Sequence, residues 1–168
     1  MSKNKTLLAY MTKGGATEEA ARTIVGVLRS KFSLEVDLVN LKKQPSPDIA
    51  PYNNVIVGSG VRTGKIYKEA LRLLKQDFEG KKIAFFICFS YLSSLKTSSP
   101  SEDDKLLNRD QVIERYIKTA LADYPKVKPV FVGATNGCLR VFGKAVTGAI
   151  DGAKTAALAE ELGKRLVE

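Results

Sequence analysis

Thr12, Lys13, Gly14, Gly15, Ala16 and Thr17 are the residues of this chain best suited to hold a ligand, and the ligand they suit is an anion. Adjacent glycines let the backbone bend and come close to what it binds. The hydroxyls of Thr12 and Thr17 can donate to phosphate oxygens, and Lys13 adds positive charge. A short apolar run, residues 7–10, precedes the segment, and a helical pattern over residues 18–31 follows it. Strand, tight polar loop and helix in that order aim backbone N–H groups and the positive end of the helix dipole at one point, where a phosphate fits.

Other chemistries are excluded by what the chain lacks. It has no GxxxxGK[ST] and no GxGxxG, so the loop is neither a P-loop nor a dinucleotide fingerprint. It has no histidine, which removes Ser-His-Asp and Cys-His machinery. Its 2 cysteines, Cys88 and Cys138, are too few to hold an iron–sulfur cluster. Cys88 lies in an apolar run and reads as an inert core thiol, while Cys138 follows Asn136-Gly137 in an expected loop. No catalytic side chain or metal site is indicated, so any chemistry is expected from a bound cofactor.

The net charge of +9, from 27 basic and 18 acidic residues, attracts anionic partners. No nucleic-acid-binding motif accompanies it, so nucleic acid is not the expected partner. The first apolar run is too short for a signal peptide, and none reaches the length of a membrane span. The expected compartment is the cytoplasm.

The elements that must position the loop follow in alternation. Leu34, Val36 and Leu38 mark a second strand, and residues 55–58 a third, fully apolar one. The third strand is expected to end at Gly58 in a second glycine-bearing loop: Ser59, Gly60, Val61, Arg62, Thr63, Gly64 and Lys65. Ala70, Leu71, Leu74 and Phe78 mark a helix, and residues 82–89 a fourth strand that ends at Phe89 and leads to Ser90, Tyr91 and Leu92. Residues 96–110 are polar and read as a surface insertion. Ile113, Tyr116, Ile117, Ala120 and Leu121 pattern the next helix; residues 127–134 are the fifth strand. Leu139, Phe142, Val146 and Ile150 share a helical face with basic residues beside it, which suits a short helix packed on the sheet, contact with a membrane surface or a cover over the site. Leu158, Leu162 and Leu166 mark a closing helix. The pattern predicts one α/β domain over residues 1–168, with a parallel sheet and helices on both faces.

Residues 9–17, AYMTKGGAT, and residues 48–62, DIAPYNNVIVGSGVR, together resemble the flavodoxin superfamily. Within it they are most similar to flavodoxin-domain proteins that include the menaquinone-dependent protoporphyrinogen oxidases. Arg62 and Gly64 carry the finer likeness. The resemblance implies a flavodoxin-like three-layer sandwich, a five-stranded sheet in the order 2-1-3-4-5, and FMN at the switch point. It implies that Thr12, Lys13, Gly15, Ala16 and Thr17, with Gly14 in the same turn, hold the FMN phosphate. The segments from Ser59 to Gly64 and from Phe89 to Leu92 would flank the isoalloxazine, with Tyr91 as the stacking aromatic. Electron-carrier flavodoxins are usually acidic and shield the flavin with tryptophan; this chain is basic and has no tryptophan. Lys13 and Arg62 near the ring would stabilise the anionic reduced flavin and raise its potential.

Three functions compete. The first is an FMN-dependent oxidoreductase between a reduced, anionic substrate and a quinone or other acceptor. The second is an electron carrier serving an acidic redox partner. The third is a binding module without redox chemistry.

Overall fold

The first apolar run forms β1, Lys5–Met11, which is buried along all but its first residue. A strand without a wet face belongs inside a sheet covered on both sides. The computed structural model, which describes residues 5–62, 65–89, 109–141, 144–148 and 151–168, places it there. α1 (Ala16–Phe32) returns the chain to β2 (Glu35–Asn40), parallel to β1. β3 (Asn54–Arg62) lies on the other side of β1, also parallel.

Here the structure corrects the sequence reading. The third strand does not stop at Gly58. It runs on through Arg62, and β4 (Lys65–Ile66) folds back on it antiparallel, with Val61 opposite Ile66 and Arg62 opposite Lys65. Val61 and Ile66 are β-branched, and such residues favour a pleated backbone over a loop. Thr63 and Gly64 lie outside the described residues. After the short helix α2 (Lys68–Leu73), β5 (Lys82–Phe89) pairs with β3. β6 (Phe131–Asn136) then pairs with β5. The parallel strands run β2-β1-β3-β5-β6, which in chain order is the expected 2-1-3-4-5. With β4 the sheet has six strands rather than five, and it is not wholly parallel.

Alternate residues of β1 serve different cores, as the period of two requires. Leu8 and Tyr10 pack with α1 and with Leu158, Ala159 and Leu162 of the closing helix α5 (Gly152–Val167). Leu7, Ala9 and Met11 face α2 and a broken helix. That helix comprises α3 (Arg109–Val112), a π-helical stretch (Ile113–Lys118) and α4 (Thr119–Leu121), and it buries Ile113 and Ile117. The sixth strand starts at Phe131, later than expected, because Pro129 has no N–H to give to the ladder.

The second correction concerns residues 139–150. The expected amphipathic helix is instead a strand pair, β7 (Cys138–Val141) and β8 (Lys144–Gly148), joined antiparallel. Cys138 therefore opens a strand and not a loop. Leu139 and Val146 therefore stand in strands and not on one helical face. Among the described residues, no helix is long and apolar enough to cross a membrane. Residues 90–108, 142–143 and 149–150, which include Ser90, Tyr91, Leu92, Phe142 and Ile150, lie outside the described residues.

Candidate functional site

Gly15 is the residue on which the site is built. It stands at the N-cap of α1 with φ 90° and ψ −6°, a left-handed conformation that side chains with a Cβ rarely adopt. The helix therefore starts at Ala16, earlier than the expected Glu18, and Thr17 falls in its first turn. A glycine brings no side chain to cap the helix, so the first N–H groups of α1 keep no intrahelical acceptor. Thr12 Oγ1 accepts from the Gly15 N–H at 2.9 Å, which ties the turn together and leaves the hydroxyl proton of Thr12 to donate elsewhere.

The strand registers bring the described parts of the predicted segments together at the carboxyl edge of the sheet. Met11 pairs with Ser59, Ser59 with Ile87 and Gly60 with Cys88, so the ends of β1, β3 and β5 adjoin. Thr17 is 2% exposed and looks across to Gly60, where an added Cβ would stand 3.3 Å from Thr17 Oγ1. Ser59 is fully buried and its hydroxyl serves the protein: it donates to the Gly60 carbonyl and accepts from the Tyr67 N–H. Val61 and Arg62 lie along the β3–β4 pairing. Phe89 is buried at the end of β5, its ring 5.2 Å from that of Tyr116. Thr63, Gly64, Ser90, Tyr91 and Leu92, and with them the stacking expectation for Tyr91, lie outside the described residues.

Tyr67 is a site residue that the sequence reading missed. Its ring lies 3.0 Å from where a Gly60 Cβ would stand, and the Lys13 ammonium sits 5.1 Å above its centroid. This cation–π contact joins the first turn to the segment after β4. An aromatic two residues past the glycine-bearing segment 59–65 was the available signal.

A carboxylate beside an anion site would oppose binding. Glu18 is held aside: Tyr10 Oη donates to its Oε1 at 2.9 Å, and Arg22 Nη2 does so at 3.0 Å. The Tyr10 hydrogen bond and then Arg22 keep its carboxyl below the usual range. Burial and then Glu18 push the Tyr10 phenol up. The six residues from Thr12 to Thr17 themselves carry hydroxyls, an ammonium and backbone N–H groups but no carboxylate. That is a donor set for a phosphate ester.

An open α/β sheet with an anion turn at the carboxyl edge beside its central strand defines a nucleotide-binding doubly wound fold. The chain belongs to the flavodoxin domain family, whose profile matches residues 7–142. No curated protein sequence matches the chain. Among solved structures, the chain is similar to oxidised flavodoxin 1 from Bacillus cereus, with 19% identity, TM-score 0.59 and 97% of each chain covered. It is also similar to a short-chain flavodoxin associated with a bacterial microcompartment, with 13% identity and TM-score 0.60, over 97% of this chain and 96% of that one. Rubredoxin:oxygen oxidoreductase from Desulfovibrio gigas matches with 17% identity and TM-score 0.58, over 98% of this chain but only 36% of its own. At these identities the likeness speaks for the fold alone.

Membership in the family implies FMN as the cofactor. The described residues fit its phosphate. The left-handed Gly15 leaves a cradle that a Cβ would strain, Thr12 and Thr17 supply hydroxyls, and the Glu18 carboxylate is held by Tyr10 and Arg22.

Proposed function

We propose that the chain is an FMN-dependent oxidoreductase that moves electrons or a hydride from a reduced, anionic small molecule to a quinone or another acceptor. The observation that carries this reading is Lys13, whose ammonium stands over Tyr67 beside the phosphate turn, in a chain of net charge +9. Bound FMN supplies the hydride and electron transfer itself. The protein's part is to anchor the phosphate through the first turn and to place cations near the ring. Positive charge there stabilises an anionic reduced flavin and raises its potential, which suits a protein that accepts electrons from a substrate. A basic mouth also steers carboxylates, such as the propionates of a tetrapyrrole, toward the site. The likeness of residues 48–62 to protoporphyrinogen oxidases of the menaquinone-dependent type makes that substrate class the first to try.

A second reading is an electron carrier that acts on no small substrate and docks an acidic redox protein. It is supported by the likeness to oxidised flavodoxin 1 from Bacillus cereus, which extends over 97% of this chain. Turnover separates the two. The FMN-loaded protein, given a reduced tetrapyrrole and a soluble menaquinone analogue, is expected to oxidise the one at the expense of the other over many cycles. A protein that exchanges electrons only when a reductase and an acceptor protein are both supplied is a carrier, and the oxidoreductase reading then falls.

A further inference from the structure

Glu18 is the third residue of α1, with Gly15 at the N-cap. A glutamate at this position ordinarily reaches back to the N-cap N–H and closes the helix end from within, as one half of a capping box. In this chain that arrangement is prevented twice. Thr12 Oγ1 already holds the Gly15 N–H, and the Glu18 carboxylate is drawn the other way by Tyr10 and Arg22. Tyr10 is 3% exposed near the end of β1, so its hydroxyl is a fixed anchor rather than a drifting surface group. Arg22, one turn further along α1, is the second donor, with its side chain largely exposed.

The geometry points to Tyr10 and Arg22 as positioning residues that hold the Glu18 carboxylate away from the start of its own helix, and so keep the anion site open for the cofactor phosphate. The inference rests on the FMN reading, because the competitor it describes is a carboxylate whose negative charge would stand where the phosphate binds, at the start of α1. Released from Tyr10, Glu18 would become a tethered inhibitor. The pair needs no contact with the phosphate to act. It sets where a negative charge is not.

The test is FMN binding to the apoprotein, followed by the quenching of flavin fluorescence. Tyr10→Phe keeps the buried ring and removes only the hydroxyl, and it is expected to weaken binding by roughly five- to tenfold. Tyr10→Phe combined with Glu18→Gln is expected to restore the wild-type affinity, a rescue that a merely structural role for Tyr10 would not give. Arg22→Met changes an exposed side chain, leaves the core untouched, and is expected to weaken binding by a smaller factor. Unchanged affinity in both Tyr10→Phe and Arg22→Met, or a loss that persists in the double variant, overturns the inference while the FMN reading stands. A wild-type protein that takes up no FMN overturns the reading itself, and the inference with it.

Discussion

Thr17 shows what a single side chain contributes to this site. It is buried in the first turn of α1 and faces Gly60, so its hydroxyl is fixed in place before any ligand arrives. Thr17→Val keeps the shape and removes the hydrogen-bonding group. FMN affinity should fall by about 1–3 kcal/mol, read by titration of the flavin absorbance, while the melting temperature of the apoprotein stays close to that of the parent. Thr12, Lys13, Gly15 and Thr17 were legible in the sequence because their types announce anion chemistry and they are contiguous. Tyr67 and the Tyr10–Glu18–Arg22 cluster were not. Each depends on a contact between segments that only the folded sheet brings together, and a tyrosine among apolar residues carries no mark of its partner.

At the scale of elements, β3 does two jobs. Its first half is core and its second half is rim. Gly58 sits at the join, where an added Cβ would stand 2.3 Å from Cζ of Phe86, a ring with no exposed surface and no room to turn. Gly58→Ala should therefore destabilise the fold by about 1–3 kcal/mol, measured by urea unfolding, through overpacking rather than through any direct loss of cofactor contact. The alternation of strands and helices was readable because the apolar runs of β1, β3 and β5 are long and uninterrupted. The two errors have one physical source. In residues 59–66 and 138–148, glycines and β-branched residues are mixed over short spans. Leu139, Phe142 and Val146 fit a helical period by spacing, yet Val141, Val146 and Thr147 favour strands by side-chain shape. Pairing with a neighbouring segment decided the outcome, and pairing is not a local property.

The whole molecule acts through its charge. With +9 distributed along the chain, the encounter with an anionic substrate or an acidic protein should slow severalfold as ionic strength rises from about 0.01 to about 0.15 M, where the screening length shrinks to about 8 Å. The encounter with an uncharged quinone should be nearly indifferent to salt. Stopped-flow rates across a salt series measure both, and an anionic partner whose rate ignores salt would remove steering from the account. The fold class was legible at this scale because a doubly wound sheet is the ordinary solution for alternating strands and helices. The continuity of β3 from interior to mouth also limits how relatives of this chain can diverge. A one-residue insertion between Gly58 and Val61 would turn every later side chain of the strand to the opposite side. Length changes that leave the protein foldable must therefore gather beyond Arg62, and variety in specificity along β3 itself must come by substitution.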